Sequence, residues 1–154
     1  MTSKTKSPTS YLAYLPNFSD GEDAFLLLID DDSVRWLMGN FDRLAYTPFG
    51  SACDEFTIGD GQSIDSDEMC LLKVELLNHG IGTNIVRTSA TSFRWSVARG
   101  SAHHFSELLS GMVDCTNGHN YLNSDDRDSP VVVISRGEYE VEKVRQWAAE
   151  SHQR

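Results

Sequence analysis

The stretch 92-SFRWSVARGSAHHFSELLSGM-112 carries two periodicities end to end. In its first part Phe93, Trp95 and Val97 alternate with Arg94, Ser96 and Ala98, the period of two that marks a half-buried strand. After Gly100 the spacing changes. Ala102, Phe105, Leu108, Leu109, Met112 and Val113 recur at intervals of three and four, one face of a helix, with Ser101 as its expected N-cap and Asn117-Gly118 as its end. A one-sided strand followed by a one-sided helix has an apolar face on each element to bury. That pattern is met when helices pack on an antiparallel sheet, the α+β class.

Outward toward the C-terminus the same logic continues. Gly118 is expected to supply a left-handed residue after the helix. His119 and Tyr121 then alternate with Asn120 and Leu122 across a short strand. Pro130 introduces 131-VVVIS-135, a β-branched strand, and Gly137 turns the chain toward Glu138 and Tyr139. Residues 138–149 read as a last helix with Val141, Val144, Trp147 and Ala148 on one side.

Toward the N-terminus, 24-AFLLLID-30 is a continuous apolar run bounded by acids, the reading of a central strand. Ser33, or an aspartate before it, caps a helix carrying Val34, Leu37, Met38, Phe41, Leu44 and Ala45, which should stop before Pro48. The runs 55-EFTIGD-60 and 69-MCLLKVELL-77 read as two strands around the acid-rich loop 59–68, and 78-NHGIGTNIVRT-88 as a turn into a further short strand. Residues 1–10 are polar and expected to form a flexible tail. No repeat is visible. The expected architecture is a single α+β domain over 11–154: a mainly antiparallel sheet with two or three amphipathic helices on one side. Val34, Leu37, Phe41, Phe93, Trp95, Phe105, Leu109 and Val132 should share its core.

Composition narrows the function classes. With 13 Lys and Arg against 23 Asp and Glu, the chain of 154 residues carries a formal charge of −10. Binding to phosphates needs clustered basic residues, so nucleic acid is not an expected partner. Such a field either steers the chain toward a basic partner protein or serves simply to keep it soluble. No apolar run reaches the length of a signal segment or membrane span. Cys53, Cys70 and Cys115 form neither an even set nor a CxxC pair, so reduced thiols and a cytoplasmic location are expected.

No cofactor or metal is expected from the spacing of the polar residues. Asp30, Asp31 and Asp32 are consecutive and sit at a helix start, where they serve as cap and dipole partners, and a calcium loop would need spaced ligands. The sequence 59-GDG-61 lacks the Lys-Ser/Thr of a phosphate loop. His103 and His104 are adjacent on a helix and so cannot form the i, i+4 pair of a zinc site; they read as a surface pair. In 125-DDRD-128 the central Arg127 supplies a counter-charge, which favours a solvated turn.

The pattern 118-GHNYL-122, an acidic loop, then 131-VVVISRGEY-139 resembles a signature (GHxYL…SxGEY) of small bacterial α+β proteins, some of them similar to immunity proteins of polymorphic toxin systems. The resemblance covers the last third of the chain and, more loosely, residues 92–112. It implies a non-catalytic acidic domain that neutralises a basic toxin, and the candidate binding residues are His119, Tyr121, Asp125, Asp126, Glu138 and Tyr139. The alternative is a small enzyme in which His119 acts as acid or base and Glu138 fixes its tautomer. A homodimer formed by pairing of an outer strand such as 131–135 is a further expectation.

Overall fold

The structure is a computed structural model that describes residues 10–19, 22–46, 48, 55–61, 64–66, 70–77, 83–114, 117–122 and 129–152. The described elements run β1 (Tyr11–Ser19), β2 (Glu22–Leu28), α1 (Asp31–Tyr46), β3 (Glu55–Ile58), β4 (Leu71–Leu76), β5 (Thr83–Arg87), β6 (Ser92–Val97), α2 (Arg99–Ser110), β7 (Gly118–Leu122), β8 (Val131–Arg136) and α3 (Val141–His152). The fold is α+β. Its strands divide between two four-stranded sheets, ordered β1-β2-β8-β7 and β3-β4-β6-β5. Neighbours are antiparallel except at the two centres, where β2 runs parallel to β8 and β4 parallel to β6.

The connectivity repeats. Each half of the chain is a ββαββ unit, β1 to β4 around α1 and β5 to β8 around α2, and each unit gives two strands to each sheet. The registers superimpose as well: Val132 lies opposite Phe25 in the first sheet and Leu72 opposite Phe93 in the second. Residues 25–45 correspond without a gap to 93–113, so that Phe25, Leu27, Ile29, Val34, Leu37, Phe41 and Leu44 take the places of Phe93, Trp95, Val97, Ala102, Phe105, Leu109 and Met112. All fourteen are buried in the same core cluster. Identity survives only at Phe25/Phe93 and Ser33/Ser101, which is why the repeat is invisible in the sequence. What is kept is the spacing of apolar positions.

One core lies between α1, α2 and the facing sides of both sheets. It contains each of Val34, Leu37, Phe41, Phe93, Trp95, Phe105, Leu109 and Val132. Phe41 meets Trp95, Phe105 and Phe56 edge-on, at centroid distances of 5.7, 5.4 and 5.3 Å, the geometry that aromatic quadrupoles favour. Trp95 is fully buried, and its indole N–H has no acceptor among the described residues.

The helix starts differ from each other. Asp30 caps α1: its Oδ1 accepts from the Ser33 amide at 2.9 Å, while Ser33 Oγ accepts from the Asp30 amide at 2.8 Å, a reciprocal capping box. Ser10, just ahead of β1, donates to the same Ser33 hydroxyl at 2.7 Å. By contrast α2 begins three residues earlier than the sequence suggests. Ala98, in an extended conformation and without a side-chain cap, takes the N-cap place expected of Ser101. The early start puts Arg99 where its guanidinium donates to Ala45 O at 3.0 Å, satisfying a carbonyl at the end of α1.

The outer faces of the two sheets are unlike. Ala13, Leu15, Leu26, Leu28 and Val133 make the outer side of the first sheet apolar, and α3 covers it with Val144 and Ala148, with Val141 and Trp147 partly buried beside them. α3 therefore lies on the opposite side of that sheet from α1 and α2. On the second sheet the corresponding positions are polar except for the exposed Val86, and Lys73 with Glu55 and Arg94 with Glu75 form half-exposed ion pairs at 3.3 and 3.7 Å. Such pairs keep a face solvated and add little stability. No described helix is long and apolar enough to cross a membrane.

Two of the four sheet edges are closed by loops of their own half of the chain. The segment around Asp65, between β3 and β4, accepts from Leu12 N at 2.8 Å, and Ser129, before β8, accepts from Ile85 N at 2.6 Å. Leu12 and Ile85 hold corresponding places on the edge strands β1 and β5. This leaves β3 and β7 as the other two edges. The expectation that 131–135 is an outer strand is corrected: β8 is paired on both sides, with β2 and β7, because its β-branched residues suit a sheet centre.

Candidate functional site

The alternation of 118-GHNYL-122 sends Asn120 and Leu122 inward and His119 and Tyr121 to the outer face of the first sheet, beside α3. Gly118 does not take the left-handed conformation expected of it; it is the first residue of β7 and pairs with Arg136. The helix instead ends at Gly111, which has right-handed helical angles. Gly137, at φ 76°, does turn the chain. A residue with a Cβ adopts that angle at a cost, so glycine suits the turn that brings Glu138 back over the end of β8.

His119 and Glu138 meet there. Nδ1 of the imidazole lies 3.0 and 3.1 Å from the two carboxylate oxygens. The buried Ser135, cross-strand partner of His119, donates its hydroxyl to Glu138 Oε1 at 3.2 Å. The carboxylate is thus held from two sides, and it fixes one ring nitrogen of the imidazole. The His119 and Glu138 side chains are 43% and 28% exposed, so the pair stands at the surface. Tyr121 packs edge-on against the imidazole at 5.3 Å, and Tyr139 edge-on against Trp147 of α3 at 5.7 Å.

Beside this pair runs a cleft of about 310 Å3. Phe18, Val131 and Val133 line it with apolar surface, Tyr121 and Tyr139 with phenol rings, and Glu22 and His119 with charge or polarity. Phe18 and Glu22 belong to the β1–β2 hairpin, where the register shifts between Leu15 and Ser19. Asn17 takes φ 55° in that bulge, and its amide donates to Asp23 Oδ1 at 3.1 Å. Asn is among the few residues with a side chain that accept this conformation readily.

Of the residues singled out in the sequence, the structure brings His119 and Glu138 into contact and sets His119, Tyr121 and Tyr139 around one cleft. Asp125 and Asp126 lie outside the described residues. Phe18, Glu22 and Ser135 were not singled out. Phe18 sits in a strand interrupted by Pro16-Asn17 and Glu22 at the start of the next, and Ser135 reads as one more residue of a buried strand. His103 and His104 are exposed on α2, as a surface pair should be, and His103 Nε2 lies 3.5 Å from Glu107 one turn on. Asp31, at the start of α1, forms ion pairs with Arg35 and Arg136 at 3.4 and 3.1 Å. Among the described residues no group of three or more His, Cys, Asp or Glu is placed to hold a metal ion.

A second, smaller cavity of about 40 Å3 lies near Tyr14, Cys70, Arg87 and Phe93. Arg87 stacks its guanidinium on the rings of Phe93 and Tyr14 at 4.6 and 5.4 Å, and the Tyr14 hydroxyl donates to Asp23 at 2.7 Å. Burial, followed by that carboxylate, pushes the Tyr14 phenol up to about 12, with Arg87 pulling the other way. Burial likewise pushes the Cys70 thiol up to about 12. A thiol held protonated is a poor nucleophile and a poor metal ligand.

No protein-family model, curated protein or solved structure matches the chain.

Proposed function

We propose that the protein is a non-catalytic protein-binding domain that engages a basic partner, in the manner of an immunity protein that neutralises a basic toxin. The observation that carries this reading is the surface around His119: an open cleft with two exposed phenol rings and a carboxylate, on a chain of net charge −10. Exposed aromatic residues beside charge are characteristic of contact surfaces. A protein whose field has one sign gains association rate with partners of the other.

The contact of His119 with Glu138 favours a second reading, a small enzyme with an oriented imidazole. A nucleophile would then be needed within reach of the other ring nitrogen. The hydroxyl of Ser135, which touches the pair, is buried and donates to Glu138 instead. Binding is therefore the better supported of the two.

The test sets His119→Ala against joint replacement of Asp65, Asp67, Glu68, Asp125 and Asp126 by Asn or Gln. Both variants are scored for rescue of cells from a toxin encoded beside the protein and for association rate at low and high salt. The binding reading expects the acid replacements to slow association and salt to do the same, since exposed charges are screened beyond about 10 Å at 0.1 M salt. Loss of rescue in a folded His119→Ala variant that still binds, with indifference to the acid replacements, gives the enzyme reading instead.

A further inference from the structure

We infer that the cleft between β7 and the β1–β2 hairpin is a receptor for a single Arg or Lys side chain of the partner. The inference rests on the reading of the chain as a binder of a basic protein and says where, and through which group, the partner is held. Phenol rings present electron-rich faces, and Tyr121 and Tyr139 line the cleft while 55% and 37% exposed. Its carboxylate, Glu22, makes no ion pair among the described residues. The remaining polar lining group, His119, already has Nδ1 on Glu138. An anion entering here would meet Glu22. A wholly apolar group would cover Val131 and Val133 but strip water from that carboxylate without replacing it.

A long cationic side chain satisfies each part of the lining. Its aliphatic stem lies on Phe18, Val131 and Val133, and its charged head reaches Glu22 and a phenol face. At about 310 Å3 the cleft stands at the lower end of the size range of ligand pockets, room for one such side chain and not for a folded element.

The full chain, labelled with 15N, is titrated with the blocked tripeptides acetyl-Gly-Arg-Gly-amide, acetyl-Gly-Lys-Gly-amide and acetyl-Gly-Gln-Gly-amide. The expected result is that the Arg and Lys peptides move the amide signals of Glu22, Tyr121 and Val133 together, and the Gln peptide does not. Tyr121→Leu, which keeps apolar bulk and removes the π face, and Glu22→Gln, which keeps shape and removes charge, should each weaken the Arg peptide about two- to five-fold. Shifts spread over other acidic segments and unaltered by either substitution overturn the cleft as the receptor while leaving the basic partner in place. If the Arg and Lys peptides move no more signals than the Gln peptide, both readings fall.

Discussion

Phe25 and Phe93 meet edge to face at 4.8 Å, interplanar angle 88°, and they occupy the same place in the two ββαββ units. Tyr14 packs against both, at 5.1 and 4.9 Å. Each ring faces its counterpart across the junction of the two sheets, so this contact reports on the joining of the halves. Phe93→Ala should cost about 3–5 kcal/mol. A double-mutant cycle of Phe25→Leu with Phe93→Leu, followed by urea denaturation, should give a coupling of about 0.5–1.5 kcal/mol. Additivity would mean that the halves do not meet there.

Leu109 is fully buried on α2. Leu109→Ala should cost about 2–5 kcal/mol, and a change near zero would place the wrong face of α2 in the core.

Gly59, at φ 97°, lets the loop after β3 pass close to Cys70: a Cβ there would sit 2.5 Å from Cys70 O and 3.1 Å from Leu12 Cδ2. The same loop closes the edge of β1. Gly59→Ala should therefore destabilise by more than about 1 kcal/mol and speed amide exchange at Leu12. Equal exchange in the variant would show that the loop gives way without loosening its hold.

The alkaline limb of stability should be steep. Tyr14 and Cys70 both lose their protons at higher pH in the folded chain than their ordinary values of 10.0 and 9.0, near 12 in each case. A raised folded-state value means that the native state holds the proton more tightly. Its contribution is complete below the ordinary value and is lost as pH rises toward 12. Urea midpoints should thus fall between about pH 9 and 12. Tyr14→Phe, which cannot ionise, should flatten part of that fall.

Thiol counting checks the cysteine reading. Unfolded without reductant, the chain should take up label at all of Cys53, Cys70 and Cys115. In the native state Cys70 should react slowly, because it is buried and protonated.

Elements with strong local signals were legible. The alternation at Phe93, Trp95 and Val97 and the stripes of α1 and α2 each depend on near neighbours, and each turned the expected face to the core, although α2 starts and ends earlier than its sequence signals. β1 was not, because Pro16-Asn17 interrupts its pattern and a bulge is invisible to a period of two. The division into two sheets was hidden for another reason. The pairings of β2 with β8 and of β4 with β6 join segments remote in sequence, and no local spacing encodes them. The site divides the same way: His119 and Glu138 follow from one strand and one glycine turn, whereas Phe18 and Glu22 arrive from the opposite end of the chain.

The exchange of strands between the two units has a consequence for synthesis on the ribosome. β2, with Phe25, Leu26 and Leu27 fully buried in the finished protein, leaves the ribosome ahead of β3 to β7 and finds its parallel neighbour β8 only after all of them have been made. Until then both faces of an apolar strand lack their final cover, and neither sheet can be finished by the first half alone. Long-range pairing of this kind slows folding and prolongs exposure of strand edges. A nascent or truncated chain that stops before residue 131 should therefore occupy chaperones and aggregate, where a protein made of two self-contained halves would release the first one folded.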